Sequence, residues 1–210
     1  MMLRPLVYEY ELRTPDTTMH FYTYYQTIAQ GDSINFVSTE YDQNFQVLQL
    51  RREECLEKGM KLRDLTYFGI DSMGKSVSMK ATIEYGAVFP FEVTDSNGVF
   101  MNLIKYRDPK DSTRETTLTR NLRFLKNSNF NFKGQTIDAI AFEQREEQSE
   151  RDVSKGGLQF FYTDAKVYAK NLGLVRSERR LSPTNFIEMR LVDTFPMAQL
   201  EQRFKEKMGL

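Results

Sequence analysis

The sequence predicts a mainly β protein: a single large curled antiparallel sheet or half-barrel of about 10–12 strands, followed by a C-terminal amphipathic helix. Three observations carry this. Apolar and polar residues alternate with period two along most of the chain, as half-buried strands require. Turn-forming residues recur at spacings of roughly 8–15 residues. A helical period occurs in one place, residues 197–208.

The first strand sets Leu6, Tyr8, Tyr10 and Leu12 against Val7, Glu9, Glu11 and Arg13. Strands are expected next over residues 20–29, 33–40, 44–52 and 61–70. Residues 76–85 alternate most cleanly, with Val77, Met79, Ala81, Ile83 and Tyr85 on one face and Ser76, Ser78, Lys80, Thr82 and Glu84 on the other. Further strands are expected at 99–106, 114–125, 135–145, 158–163, 166–170, 174–181 and 185–192. The separators carry turn chemistry: Gln30-Gly31-Asp32, Asp71-Ser72-Met73-Gly74, Ser96-Asn97-Gly98, Asp108-Pro109-Lys110-Asp111 and Ser182-Pro183. The charged tract 143–155 reads as a long hairpin loop. In the helix, Met197, Leu200, Phe204 and Met208 share a face, Asp193 or Thr194 is placed to cap, and Gly209 ends it.

Composition fits one β-rich domain spanning residues 1–210. The 29 Lys and Arg balance the 29 Asp and Glu, so the clustered basic excess of a nucleic-acid footprint is absent. No apolar run approaches the roughly 18 residues of a transmembrane helix. The 16 Phe and 11 Tyr supply enough buried area for a core. Cys55 and His20 are the only residues of their kinds, which excludes an intrachain disulfide and a multi-histidine metal site. No Gly-rich phosphate loop or nucleophile elbow occurs. The adjacent acids Glu53-Glu54 and Glu146-Glu147 would point to opposite faces of a strand. No catalytic residue, metal or cofactor is therefore assigned, and the expectation is a non-enzyme.

Several strands carry apolar residues on both faces, which demands covering by a second layer, a partner or a ligand. Tyr8, Tyr10, Met79, Ile83, Phe160 and Tyr162 are the expected lining of a concave ligand surface. Arg120 shares a strand face with Leu118, Leu122 and Phe124, so it needs a carboxylate partner or a place at the mouth, where it could anchor a ligand.

The segments Gly134–Phe142, Leu158–Tyr162 and Val167–Arg176 form a cadence that resembles bacterial cell-envelope proteins, notably from Bacteroidetes, with a β half-barrel of the lipoprotein-localisation type. Tyr168, Ala169, Lys170 and the Gly173-Leu174-Val175 step carry the match, which spans residues 133–192. The resemblance implies an exported protein of the periplasm or cell envelope, with its leader upstream of Met1; a cytoplasmic protein is the alternative. It also implies a non-catalytic role: binding an apolar ligand such as a lipid or lipoprotein-like cargo, or pairing with an envelope protein in assembly. The alternative function is a carboxylate-dependent hydrolase acting on glycan or lipid.

Neither Cys55 nor His20 is needed on this reading. Cys55→Ser and His20→Ala should each leave ligand binding intact and cost on the order of 1 kcal/mol in thermal or denaturant unfolding. Loss of binding in either variant, with folding unchanged, would contradict it.

Overall fold

The computed structural model describes residues 5–71, 73–107, 113–152, 156–182 and 184–209. Strands β1 (Leu6–Arg13), β2 (Thr18–Gln30), β3 (Ser33–Tyr41), β4 (Val47–Leu56) and β5 (Gly59–Ile70) form an antiparallel meander. Three short strands follow: β6 (Ser76–Lys80), β7 (Thr82–Gly86) and β8 (Val88–Pro90). A second meander comprises β9 (Val99–Arg107), β10 (Arg114–Phe132), β11 (Gln135–Asp152), β12 (Gly156–Ala169), β13 (Gly173–Arg180) and β14 (Phe186–Phe195). Helix α1 (Met197–Met208) ends the fold. β1 pairs with β14, which joins both meanders into one 14-stranded antiparallel sheet. The surplus over the expected strand number arises because residues 76–90 pair in three pieces.

Those pieces nearly close the sheet into a barrel. β6 pairs with the end of β5, β7 with β9, and β8 with the start of β5. At the crossing points, the Ala81 amide donates to the Leu65 carbonyl at 2.8 Å, and the Ala87 amide donates to the Met101 carbonyl at 2.8 Å. One stretch of chain thus hydrogen-bonds alternately to both free edges, which would otherwise expose unpaired backbone. Small residues permit it. A Cβ on Gly59 would overlap the Phe89 carbonyl oxygen, and Ala81 is buried between the edges with Leu62, Leu65, Ile104 and Leu118.

The long β10–β11 hairpin turns at Lys133-Gly134, both at positive φ (49° and 79°). Its tip reaches across the β12–β13 turn: Phe130 and Ala139 pack in one buried cluster with Tyr8, Tyr10, Ala169, Val175 and Leu191. The Lys133 ammonium meets the Asp193 carboxylate at 2.5 Å.

On the outer face, α1 lies over β1, β2 and the end of β14. Leu200 is buried against Val7, Tyr22 and Phe195, a contact of about 2 kcal/mol. Arg203 donates to Glu9 at 2.8 Å and lies over the Phe195 ring. Phe45, at the strained φ of 62°, stacks on Tyr22 and meets Phe204 edge-on, so helix packing holds the β3–β4 turn in place. Among the described residues no helix is long and apolar enough to cross a membrane.

Three expectations are corrected. Residues 143–152 are not a loop: β11 runs unbroken to Asp152, and residues 153–155 of the expected tract lie outside the described residues. Its charges are accommodated across strands, Glu146 by Arg120 and Glu147 by Gln159. The segments 158–163 and 166–170 are likewise one strand, β12. Neither Asp193 nor Thr194 caps α1, because β14 continues to Phe195 and Pro196 takes the N-cap position without a side-chain bond; Asp193 instead serves Lys133. Gly209 closes the helix at φ 70° as expected. The turn expected at residues 108–111 lies outside the described residues, as do Ser72 and Pro183 of two others.

Gly59→Val should break the contact of β8 with β5 and lower the stability by about 2–3 kcal/mol, seen as a lower denaturant midpoint. An unchanged midpoint would show that β8 contributes nothing to closure.

Candidate functional site

Strict alternation along β10, β11 and β12 points Arg120, Glu146 and Tyr162 to the inner face at one register level. Gln144, Asp164 and Arg179 form the next level across β11, β12 and β13. Side chains of the two levels interlock. Arg120 Nε donates to Glu146 Oε2 at 2.5 Å, and Arg179 Nη2 donates to Glu146 Oε1 at 2.9 Å. Arg179 also grips Asp164 bidentately, at 2.5 and 2.8 Å, while Gln144 donates to the same carboxylate at 3.1 Å. The Arg179 guanidinium lies 4.2 Å from the Tyr162 ring centroid. Although burial opposes ionisation of Glu146, Arg120 and Arg179 together hold its carboxyl below the ordinary range.

A second charged group meets this network from β3 and β4. Arg51 donates to Glu53 at 2.5 Å, and Glu40 accepts from Gln49 at 3.3 Å. Glu40 feels Arg51, Arg120 and Lys166, yet desolvation outweighs all three and raises its pKa. Lys166, on β12, is lowered to about 8 by desolvation and by Arg120. Tyr168 beside it is raised to about 12 by burial. Lys166 pairs in register with Phe142, whose ring sits among Phe89, Phe100, Phe124 and Tyr168 with centroids 5.3 to 6.3 Å away. A charged band and a packed aromatic cluster, with Phe142 itself fully buried, therefore adjoin inside the barrel.

This inner face is partly accessible. The Arg51 side chain keeps 43% of its surface accessible although it lies deep in the protein mass. The folded chain exposes 13208 Å² in all, about 3,000 Å² more than a filled globule of its mass. About eight strands suffice to enclose a barrel filled by its own side chains, so 14 strands leave room. Outside this interior, a shallow open depression of about 290 Å³ lies between the β10–β11 hairpin tip and β14, lined by polar and apolar groups including Arg13, Lys133 and Arg190.

The expected lining residues are dispersed through this interior. Arg120 finds its carboxylate partner in Glu146, and Tyr162 joins them through Arg179. Phe160 stacks on Tyr162 at 6.4 Å but sits on residues 156–163, which pair with β11 and have no β13 neighbour on the other edge. Met79 pairs in register with Tyr67 on the closing segment, and Ile83 packs against the Leu62–Leu118 cluster. Tyr8 and Tyr10 lie in the packed cluster under the hairpin tip, where the Tyr10 hydroxyl donates to the Leu174 carbonyl at 2.8 Å. Lys166, Glu146, Asp164, Arg179, Arg51 and Glu40 escaped sequence reasoning. Alternation across the 143–155 tract would have placed Glu146 inward, had that tract been read as strand. Cys55 and His20 are remote from one another: Cys55 aligns through Ile34 with Ala29, roughly 30 Å along β2 from His20. His20 instead meets Glu9 at 3.0 Å on the outer face.

Glu146→Gln should cost about 2–3 kcal/mol, because two guanidinium groups lose a shared anion; the partial exposure of Arg120 keeps the figure below that of a fully buried pair. Since the folded-state pKa of Glu146 is depressed, its contribution is complete above the unfolded value of about 4.3 and is lost as pH falls through the folded value. Denaturation at pH 7 and pH 3 should show the variant deficit shrinking in acid. An equal deficit at both would exclude the charge as its source.

No family profile matches the chain, and no curated protein matches it significantly. Solved structures do. A provisionally assigned lipoprotein from Parabacteroides distasonis ATCC 8503 superposes with a TM-score of 0.59 at 13% identity, covering 91% of this chain and 95% of that one. A provisionally assigned exported protein with a YmcC-like fold, from Bacteroides fragilis NCTC 9343, gives a TM-score of 0.59 at 11% identity, covering 92% and 99%. The Bacteroidetes resemblance noted in residues 133–192 thus extends, as a likeness of fold, over nine tenths of the chain.

Proposed function

We propose that this protein is a non-catalytic component of the bacterial cell envelope that holds a lipid or lipid-bearing cargo inside its barrel. The observation that carries the reading is the partly accessible charged band of the inner face, which adjoins the aromatic cluster around Phe142. Amphipathic molecules need both surfaces at once. The envelope placement draws on the fold shared with proteins described as a lipoprotein and an exported protein.

Within this reading, Arg120 and Tyr162 line the charged band, with Phe160 at its rim. Met79 and Ile83 line the closing segment, and Tyr8 and Tyr10 form the packed end. The chemistry of the band favours holding over turnover. A hydrolytic pair needs one carboxyl protonated and one free, whereas the neighbouring Glu146 and Asp164 are both tied to Arg179, which opposes protonation of Glu146.

Native mass spectrometry of protein purified from its own host envelope should show adducts of several hundred daltons that organic solvent removes. Protein free of adducts that also fails to bind an uncharged apolar fluorophore would overturn the proposal.

A further inference from the structure

We propose that the protein forms a two-fold dimer in which residues 157–163 of β12 pair antiparallel with the same residues of a second copy, so that two barrels share one continuous sheet. The inference concerns a different surface from the ligand role proposed above and does not depend on it.

Closure of the barrel leaves one edge open. β12 pairs with β11 along its whole length, from Gly156 to Ala169. On its other side β13 covers only Asp164 to Ala169. Beyond that point β13 turns away: the Leu181 amide donates to the Asn185 carbonyl at 2.9 Å, and the chain returns as β14. Residues 156–163 are therefore paired on one side only, and no other backbone hydrogen bond reaches them among the described residues. Alternate residues of an antiparallel strand direct their N–H and C=O groups to the same side, so about four residues present unpaired groups here. The edge is nonetheless held in strand geometry, because β11 backs it and β10 backs β11 at the same level, Arg114–Arg120 opposite Glu146–Asp152.

This edge lacks the devices that keep free edges apart. Gly156-Gly157-Leu158-Gln159-Phe160-Phe161-Tyr162-Thr163 holds no charge and no proline, and no bulge interrupts its register with β11. Leu158 is 63% exposed and Phe161 69%. The two point to opposite faces of the sheet, so a layer laid on either face would cover only one of them. A strand added at the edge flanks both.

A second copy fits because the segment is complementary to itself. With the two-fold axis at Phe160, Leu158 lies opposite Tyr162 of the second copy and Phe160 opposite its own counterpart, all on one face. Gln159 then lies opposite Phe161, and Gly157 opposite Thr163, on the other. Aromatic and apolar side chains meet directly across the strands in this register. The pairing stops at Thr163, where Arg179 takes over opposite Asp164, so β13 keeps its place. An axis perpendicular to the sheet closes the association at two copies. The 29 bases and 29 acids of the chain leave no net repulsion between them. Pairing of so few residues makes a small interface, with a dissociation constant on the order of micromolar.

Sedimentation velocity of the wild type at low and high micromolar concentration should show monomer converting to dimer. Phe160→Lys and Phe160→Glu each set like charges opposite one another across the axis, and each should weaken the dimer by roughly tenfold or more. An equimolar mixture of the two variants should restore it, because the opposed charges then complement. Phe160 is 37% exposed, so both variants should keep the wild-type circular dichroism. A wild type that stays monomeric at high concentration overturns the proposal. A dimer that both variants preserve, or a mixture that stays monomeric, overturns the pairing at Phe160. Should either variant fail to fold, amide hydrogen exchange of the wild type decides: amides within 157–163 should slow as the protein is concentrated, and exchange independent of concentration overturns the dimer.

Discussion

Closure of the sheet is the constraint on which the rest depends. An open 14-stranded sheet would present two unpaired backbone edges, each a template for association with another chain. Residues 76–90 remove most of that exposure by bonding to β5, then β9, then β5 again. The alternation works because Ala81 and Gly86 sit where the two edges converge, and because Gly59 lets the Phe89 carbonyl approach. Without this seam the inner face would be one side of a curved sheet, and its charges would be ordinary solvated groups.

Curvature gathers those charges on one inner face. Arg120 and Lys166 approach the interior from the second meander, while Glu40 and Arg51 approach from the first, and only a nearly closed barrel sets them facing one another. Most pair: the Arg120–Glu146–Arg179–Asp164 chain consumes its own charges within four adjacent strands. A fully satisfied network of this kind is rigid, and it offsets its desolvation cost internally. Arg51 Nε remains outside that balance.

The exterior is organised for support. α1 buries Leu200 over β1 and β2, Arg203 binds Glu9, and Phe45 wedges the β3–β4 turn beneath Phe204. The β10–β11 hairpin tip clamps β14 through Lys133 and Asp193 and covers Tyr8 and Tyr10. Both devices act where β1 meets β14, the long-range pairing that unites the chain termini. The junction with the greatest sequence separation is thus reinforced on two sides.

Period-two alternation was sufficient to determine the antiparallel β class, the positions of most strands and the inward direction of Arg120, because a strand sends successive side chains to opposite faces whatever its partners. The helix period and Gly209 likewise located α1, since both are local. Tract 143–155 misled for a local reason: dense charge suits a solvated loop, and nothing nearby announces that Arg120, 26 residues away, supplies the partner for Glu146. The cap at Asp193 failed similarly, because Lys133 claims that carboxylate from another strand. Tertiary structure alone decided the pairing of β1 with β14, the shuttling of residues 76–90 between two edges, and the joining of Arg120, Glu146, Arg179 and Asp164 into one network. Each depends on the curvature and closure of the whole sheet, a property of all strands together that no single segment of sequence encodes.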